Sequence, residues 1–353
     1  MIDENALTDL AKKSLKEWDL DVQSINLHLQ SENTVFKVED KDGNEYALRV
    51  HRKGYHDLDE LNSEHNWTSC LSKAGLSVPE AVPTANGEAY ATVFFNDSDE
   101  FRYVGLVKWM EGAILNDLIL ELKEKEVSDL YNSLGKVIAK FHQATMNWEV
   151  PKDFKRHSFN VDGFVGSEPF WGRFWEAKNA SDEEREKLSL IRKNIEKSLS
   201  KLPRDISSFG MIHADMHSQN VLIQEDKLSV IDFDDAGFGW YGFDLAVAVW
   251  DRLDFTATGC HFDIAYEAMV AGYLEECPNT RDIIDTIPTF LLMRTMMIIR
   301  WIEDRPEAGY EDFIPVLIKA SIDQAKDLKL LNYSYVFYCL IFSIYSFLDC
   351  HYL

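Results

Sequence analysis

The change from strand-like to helix-like segments along the chain constrains its fold more than any other feature of the sequence. Short β-type runs occupy residues 25–29, 34–38, 45–50, 91–95 and 103–109. From about residue 115 onward, apolar residues recur instead at the three- and four-residue spacing of helices. A group of strands followed by a long series of helices is typical of an α+β fold. The 353 residues are enough for two lobes, each with its own core.

The strand candidates are predicted to form one five-stranded antiparallel sheet in a small N-terminal lobe. Asp42-Gly43, between the second and third runs, is a strong hairpin signal. Residues 4–18 and 56–74 are helical in pattern, so two helices are expected beside the sheet. Glu111-Gly112 interrupts the last strand pattern and is predicted to be the hinge to a mainly helical lobe. The main helices of that lobe are expected at 130–144, 183–199, 243–253, 262–274 and 287–302.

The charge of the chain disfavours nucleic acid and anionic membranes as partners, but it does not indicate a type of reaction. Sixty acidic and 36 basic residues give a formal charge of -24 at pH 7, which repels nucleic acid and anionic membrane surfaces. No nucleic-acid partner is therefore expected. The excess of carboxylates could favour a cationic substrate, but most of these side chains are expected to be solvated on the surface.

The cysteines and the N-terminus favour a cytoplasmic protein. The five scattered cysteines form neither a C-x-x-C pair nor a disulfide pattern, so they are expected to be reduced thiols. The acidic N-terminus lacks the basic and apolar regions of a signal peptide.

The C-terminal segment is strongly apolar. Residues 330–348 contain no charged side chain, which reaches the length of a membrane span, and Lys326 and Lys329 precede them. Asn332, several serines and four tyrosines dilute the hydrophobicity of the segment. A tail packed on the large lobe or on a partner is therefore favoured over a membrane anchor, and no oligomeric state is predicted.

The residues that carry chemistry are concentrated between positions 211 and 235. His213, Asp215 and Asn220 stand in the order H-x-D-x-x-x-x-N between two apolar flanks. Asp232 follows twelve residues after Asn220, at the end of a short strand-like run that begins at Lys227. A hairpin return of this run would bring Asp232 beside the loop that carries Asp215, an arrangement that fits phosphoryl transfer.

Phosphoryl transfer needs Mg²⁺ to bridge phosphate oxygens and a carboxylate to orient the attacking hydroxyl and accept its proton. Asp215 suits the task at the hydroxyl. Asn220 and Asp232 supply the oxygen ligands that Mg²⁺ prefers. His213 is predicted to brace the loop. A metal site formed by His213 and His217 is disfavoured, since no further ligand stands at a suitable spacing.

This segment resembles the catalytic and metal-binding loops of the aminoglycoside phosphotransferase and choline kinase superfamily, relatives of the protein kinases. Residues 134–142 resemble the L-G-x-x-L-A-x-L-H helix of that superfamily, and residues 241–246 resemble the element after its metal loop. The resemblance extends over about residues 22–330. It implies a two-lobed, protein-kinase-like fold, ATP and Mg²⁺ as cofactors, and Asp244 as a buttress of the catalytic loop.

In the small lobe, residues 46–50 resemble the kinase strand V-A-I-K, with Arg49 in place of the usual lysine. Arg49 is interpreted as an ATP ligand paired with Glu64, with Glu60 as a competing partner. No Gly-rich phosphate loop is present, so Ser31 and Asn33 are expected to contact phosphate in its position. ATP rather than GTP follows from the resemblance alone.

Residues 107–112 resemble the kinase hinge, where the carbonyl of Lys108 and the amide of Met110 would pair with adenine. These interpretations divide the chain into three parts. The predicted parts are a nucleotide-binding lobe at 1–110, a catalytic and acceptor-binding lobe at 111–330 and the hydrophobic tail at 331–353.

The identity of the acceptor is left with two alternatives. The leading hypothesis is a small molecule with a hydroxyl group, such as an aminoglycoside, an amino alcohol or a sugar. The residues expected at its pocket are Asp234, Asp235, Trp240 and Tyr241. The aromatic run at 170–176 would line a wall of the pocket, unless it packs in the core.

The second hypothesis is a protein serine/threonine kinase of the bacterial stress-response type. Such kinases share the acidic metal-loop cluster and a late helix with arginines, as Arg294 and Arg300 provide here. An open groove beside Asp215 would favour this protein acceptor, and a closed acidic pocket would favour a small cation.

Overall fold

The computed structural model describes residues 4–30, 33–95, 99–119, 121–253, 255 and 261–331. Its small lobe contains a five-stranded sheet in which every neighbouring pair is antiparallel and the strand order is β1-β2-β3-β5-β4. The strands are β1 Val22–Gln30, β2 Thr34–Asp40, β3 Glu45–Val50, β4 Tyr90–Phe94 and β5 Phe101–Lys108. The five predicted strands and their antiparallel pairing are thus confirmed.

The hairpin between β2 and β3 follows from its turn residues. The Asp40 carboxylate accepts hydrogen bonds from the amides of Asp42 and Asn44, at 2.9 and 2.8 Å. Gly43 has φ +81°, a left-handed conformation that glycine adopts without steric cost. This turn fixes the register in which Phe36 faces Leu48, and both side chains are buried.

Two helices accompany the sheet. Helix α1, Glu4–Ser14, packs Leu7 and Leu10 into the small-lobe core. Helix α2, Leu58–Lys73, begins at a capping box in which Asp57 and Glu60 accept each other's backbone amides. The apolar side of α2 joins the core of the large lobe through Trp67.

The large lobe is mainly helical, as predicted. Its helices are α3 Leu115–Ile119, α4 Glu124–Met146, α5 Val161–Val165, α6 Asp182–Leu199, α7 Tyr241–Trp250, α8 Phe262–Glu276, α9 Arg281–Ile284, α10 Ile287–Glu303 and α11 Ile314–Asp327. Each of the five predicted helices corresponds to one of these, although α7 ends three residues earlier than expected. The aromatic run at 170–176 forms no full helix and contains only a 3₁₀ turn, Phe174–Glu176.

Two short three-stranded sheets position the loops between the lobes. Their strands are β6 Ala113–Ile114, β7 Ser158–Phe159, β8 Phe209–Ile212, β9 Val221–Gln224, β10 Lys227–Val230 and β11 Gly237–Trp240. The strand orders are β10-β9-β6 and β7-β11-β8. Strands β9 and β10 pair as the predicted hairpin.

Helices α4 and α8 cross at a distance that only glycine permits. A Cβ atom at Gly135 would lie 2.0 Å from the carbonyl oxygen of Met269, and one at Gly272 would lie 1.9 Å from that of Asn132. The glycine in the 134–142 segment is therefore a packing requirement. The close crossing of α4 and α8 also fixes the position of His142, which lies on α4 and faces the catalytic loop.

The small lobe and the large lobe have separate hydrophobic cores, and the second includes residues from Trp67 to Leu331. The division of the chain at residue 110 stays a prediction. Residues 332–353, which make up nearly all of the predicted tail, lie outside the described residues. Within the described ranges, no helix combines the length and the apolar character that crossing a membrane requires.

Candidate active site

The loop after β8 carries Asp215, and the side chain of Asp244 holds this loop in place. The Asp244 carboxylate, buried on α7, accepts the backbone amides of His213 at 3.0 Å and Ala214 at 2.6 Å. Ala214 has φ 65°, a left-handed conformation that costs a non-glycine residue about 1 to 2 kcal/mol. His142 supports Asp244 in turn, with Nε2 at 3.3 Å from the carboxylate. Asp244 therefore holds the loop in an otherwise unfavourable shape, as the family resemblance implied.

His213 connects this loop to the strand that precedes Asp232. Its Nε2 lies 3.1 Å from the carbonyl oxygen of Ile231, and its Nδ1 accepts the amide of Asp215 at 3.3 Å. Burial lowers the pKa of His213, which favours the neutral ring that these contacts need. Because both ring nitrogens are used, His213 braces the loop and is not available as a metal ligand.

Asp215 lies at the centre of a set of polar contacts, with 18% of its side chain exposed. Asn220 Nδ2 donates to its carbonyl oxygen at 2.8 Å and to its carboxylate at 3.1 Å. His217 Nε2 lies 3.4 Å from the same carboxylate, and Arg294 donates to its other oxygen. Burial raises the pKa of Asp215, but the charges of His217 and Arg294 outweigh burial and hold the pKa well below its usual range. Asp215 is therefore ionised and can orient a hydroxyl group.

Asp232 follows β10 and lies in the cleft between the lobes. Its backbone is left-handed, with φ 64°, and half of its side-chain surface is exposed (50%). Partial burial and the nearby carboxylate of Asp234 raise the pKa of Asp232 to about 7, against the opposing effect of Arg49. Uncompensated negative charge thus accumulates at Asp232.

Arg49 on β3 crosses the cleft to the acidic loop of the large lobe. Its guanidinium lies 2.7 Å from Asp234 Oδ1, 3.4 Å from Asp232 Oδ1 and 3.4 Å from Glu64 Oε1. The structure therefore brings Arg49 and Glu64 together. Glu60, the competing partner, instead caps α2. Arg49 is placed where phosphate groups would approach Asp232.

Asp234 lies on the nucleotide side of the cleft rather than in an acceptor pocket. It is buried, pairs with Arg49 and accepts a hydrogen bond from Asn33 Nδ2. Burial raises the pKa of Asp234, but Arg49 and two neighbouring histidines lower it to about 2. Asn33, expected to contact phosphate, holds this carboxylate and accepts the amide of Arg52 at 3.1 Å. The neighbouring Asp235 accepts the hydroxyl of Tyr55.

The expectation that Trp240 and Tyr241 contact the acceptor is not supported by their positions. They are only 2% and 0% exposed, respectively. Trp240 Nε1 donates to the carbonyl oxygen of Pro203 at 2.8 Å, and the Tyr241 hydroxyl donates to that of Ile206 at 3.0 Å. Since these polar atoms are already satisfied inside the core, both residues stabilise the large lobe.

Two of the remaining predicted nucleotide contacts, Lys108 and Met110, lie at the edge of the small lobe. Ser31 falls outside the described residues. Lys108 is the last residue of β5, and its Nζ pairs with exposed Glu80 at 2.6 Å. Met110 is half-buried in the connection between β5 and β6. Both positions fit a hinge whose backbone contacts adenine, which stays a prediction.

Two arginines have positions at the site that were not predicted from the sequence. Arg156 is buried, lies 3.6 Å from Glu64 and donates to the carbonyl oxygens of Phe233 and Ala236, so it supports the acidic loop. Arg294 reaches Asp215 from α10. Neither arginine belongs to a local motif. From the sequence, Arg294 was named only as an arginine of a late helix, and as a cation within an apolar helical pattern it needs a partner.

The residues present fit Mg²⁺ and a nucleotide. The Asp232 carboxylate and the side-chain oxygen of Asn220 would hold Mg²⁺, which takes oxygen ligands and retains waters or phosphate oxygens at its other positions. The raised pKa of Asp232 shows the excess negative charge that a divalent cation would neutralise. Arg49, beside this carboxylate, would face the phosphates.

Arg49→Ala is expected to weaken the binding of Mg²⁺-ATP and to lower turnover. It should also reduce the free energy of unfolding by about 3 kcal/mol, because Asp234 and Glu64 lose the cation between them. Arg49→Lys keeps the charge and should retain a measurable part of binding and activity. Calorimetric nucleotide titration, turnover and denaturant unfolding measure these effects.

Lys41→Ala is the matched control, because Lys41 forms an exposed small-lobe ion pair with Asp21, outside the cleft. Its removal should change neither binding nor turnover. Wild-type nucleotide affinity and turnover in Arg49→Ala would contradict the assignment of Arg49.

Comparison with known proteins agrees with this geometry. Residues 26–281 match the model of the phosphotransferase enzyme family, APH. Amicoumacin kinase of Bacillus subtilis is 23% identical over 275 residues, 76% of each chain. Homoserine kinase of Agrobacterium fabrum is 25% identical over 221 residues, 62% of this chain and 61% of that protein.

The same relationship is visible among solved structures. A microcompartment-associated aminopropanol kinase superposes with a TM-score of 0.71 at 27% identity, covering 90% of this chain and 94% of that one. The family match includes Arg49, Asp215, Asn220, Asp232 and Asp244 and extends over well over half of the sequence. The chain therefore belongs to the phosphotransferase enzyme family, APH.

Proposed function

We propose that this phosphotransferase moves the γ-phosphate of ATP, with Mg²⁺, to a hydroxyl group of a small molecule, and that Asp215 acts on that hydroxyl. The observation that carries the proposal is the fixed position of the ionised Asp215 carboxylate. Asp244, His213 and Asn220 hold its loop by hydrogen bonds, and the carboxylate is still 18% exposed. A hydroxyl that reaches this carboxylate can be oriented and can give up its proton as the new O–P bond forms.

The other residues divide between nucleotide and metal. Asn220 and Asp232 would hold Mg²⁺, and Arg49, fixed by Glu64, would hold phosphate. When bound, Mg²⁺ supplies charge neutralisation at the phosphate oxygens. The pairing of Arg49 with Asp232 and Asp234 keeps these groups close together before nucleotide binds.

A protein acceptor is not favoured. The relatives are named for kinases of small molecules: amicoumacin, homoserine and aminopropanol. The Asp215 carboxylate is also only 18% exposed and pairs with the buried guanidinium of Arg294. Both observations support a small acceptor that enters the cleft.

The test is an ATP-consumption screen over amines, amino alcohols, hydroxy acids and sugars, with generic protein acceptors and autophosphorylation as parallel arms. A phosphorylated small molecule, identified by mass spectrometry, is the expected result. Phosphate transfer to the protein acceptors alone would support the stress-response type of kinase instead. ATP consumption in none of the arms would contradict the proposed activity.

A further inference from the structure

A buried arginine beside Asp215 has hydrogen-bond donors that no group among the described residues accepts. Arg294 lies on α10, and only 4% of its side chain is exposed. Its Nη2 donates to Asp215 Oδ1. Its Nε and Nη1 are buried and have no hydrogen-bond partner within the part of the chain that the structure describes. Burying charged donors without acceptors is unfavourable, so this arrangement needs an explanation.

The aromatic neighbours of Arg294 do not satisfy these donors. The guanidinium carbon lies 4.5 Å from the ring centre of Trp171 and 5.9 Å from that of Trp250. Such contacts use the face of the guanidinium, whereas its N–H groups lie in its plane. The two rings therefore leave the in-plane Nε and Nη1 donors of Arg294 without an acceptor among the described residues.

Trp171 also lines a cavity between the lobes, of about 370 Å³. The other aromatic side chains of its wall are Tyr55 and Phe170. Its charged lining residues are Arg52, Lys53, Asp304 and Arg305. In a chain with a formal charge of -24, a cavity with three basic residues and one acidic residue favours an anionic ligand over a cationic one.

We propose that the acceptor carries a carboxylate in addition to the hydroxyl that is phosphorylated, and that Arg294 binds this carboxylate. This inference rests on the proposed function. A carboxylate can accept two parallel N–H···O bonds from a guanidinium, here from Nη1 or Nε together with the second proton of Nη2, whose other proton goes to Asp215. Trp171 is shared between this guanidinium and the cavity with basic residues, so the cavity lies next to the proposed carboxylate site.

The direct contact between Asp215 and Arg294 limits the size of the acceptor. A hydroxyl at Asp215 and a carboxylate at Arg294 would be only a few bonds apart, as in a short hydroxy acid or hydroxy amino acid. A carboxylate that engages Arg294 would also share the cation that now pairs with Asp215 Oδ1, and so leave that oxygen freer to accept the hydroxyl. Arg294 lies outside residues 26–281, so this role does not follow from family membership.

The test compares acceptors that differ by one group. Homoserine carries a hydroxyl, an amine and a carboxylate; 3-amino-1-propanol lacks its carboxylate, and 4-hydroxybutyrate lacks its amine. Threonine and 1-amino-2-propanol form a second pair that differs only by the carboxylate. The kcat/KM of each compound, and its binding by calorimetry with an unhydrolysable ATP analogue, are measured for the wild type, Arg294→Gln and Arg281→Gln.

The wild type is expected to favour the carboxylate-bearing member of each pair by about 10- to 100-fold in kcat/KM or in affinity. Arg294→Gln should remove this preference while it still binds nucleotide. Arg281→Gln should keep it, since Arg281 on α9 is 58% exposed and pairs with Asp285, the residue after that helix. A preference that persists in Arg294→Gln would overturn the assignment.

The proposal and the proposed function fail in different ways. If the wild type phosphorylates or binds the amino alcohols as well as their carboxylate counterparts, or if the screen finds only acceptors without an anionic group, the carboxylate proposal is overturned and the phosphotransfer activity stands. If carboxylates bind through Arg294 and no compound is phosphorylated, the carboxylate site stands and the proposed activity is contradicted. If no compound binds or reacts, both are overturned.

Discussion

Asp215→Asn is expected to lower turnover by about 10²- to 10⁴-fold while the affinity for Mg²⁺-ATP stays close to that of the wild type. The change removes the proton acceptor and keeps the shape of the side chain. The loop should persist, because Asp244 holds the amides of His213 and Ala214, and Asn220 still donates to the backbone carbonyl oxygen at position 215. Turnover with an accepted substrate and calorimetry with an unhydrolysable ATP analogue measure the two quantities separately.

Asp226→Asn is the control for this prediction. Asp226 is exposed in the turn between β9 and β10, so the same substitution there should leave turnover unchanged. If Asp215→Asn loses nucleotide affinity along with turnover, Asp215 has a role at the metal or the phosphates. If it keeps wild-type turnover, it is not the residue that acts on the hydroxyl.

The features that could be placed from the sequence depend on short stretches of chain. The hairpin of β9 and β10, the loop of His213 and the position of Asp244 were predicted because each belongs to a local pattern or a resemblance. The pairing of Arg49 with Glu64 likewise joins a strand to the helix that follows it, only 15 residues away. In these cases, local patterns place side chains without knowledge of how distant helices pack.

Arg294 shows what local patterns cannot predict. It contacts Asp215 across 79 residues, and the contact exists because α10 packs against α7 behind the catalytic loop. Nothing in the sequence of α10 indicates which element its arginine faces. The predicted acceptor residues, Asp234, Asp235, Trp240 and Tyr241, include neither this cation nor the basic lining residues of the cavity beside Trp171.

Trp240 and Tyr241 illustrate a different error. They were placed in the acceptor pocket because they follow the metal loop closely in sequence. However, α7 is apolar almost throughout, and a helix with apolar residues on all sides is typical of a buried core element. That signal was in the sequence, and it predicts a core position for Tyr241; Trp240 is the last residue of β11 and precedes the helix.

Asp232→Asn is expected to weaken magnesium-dependent nucleotide binding and turnover together. Asparagine is the suitable substitution, because the backbone at Asp232 is left-handed, with φ 64°, and asparagine tolerates this conformation as aspartate does. The change removes the charged oxygen ligand proposed for Mg²⁺ and leaves Asp234 and Arg49 paired. Replacing a residue that only orients a metal ligand typically costs about 10- to 100-fold in metal affinity. Loss of a ligand itself should therefore cost at least about tenfold.

Titrating each variant with the unhydrolysable ATP analogue at several magnesium concentrations distinguishes the roles of Asp215 and Asp232. Asp232→Asn should need more magnesium to reach half-maximal nucleotide binding, and Asp215→Asn should follow the wild-type curve. Without magnesium, Asp232→Asn should bind the nucleotide no worse than the wild type does, because it removes a negative charge near the phosphates. A magnesium requirement in Asp232→Asn equal to that of the wild type would contradict the metal role of Asp232. If both variants need the same increase in magnesium for half-maximal nucleotide binding, the separate roles proposed for Asp215 and Asp232 are wrong.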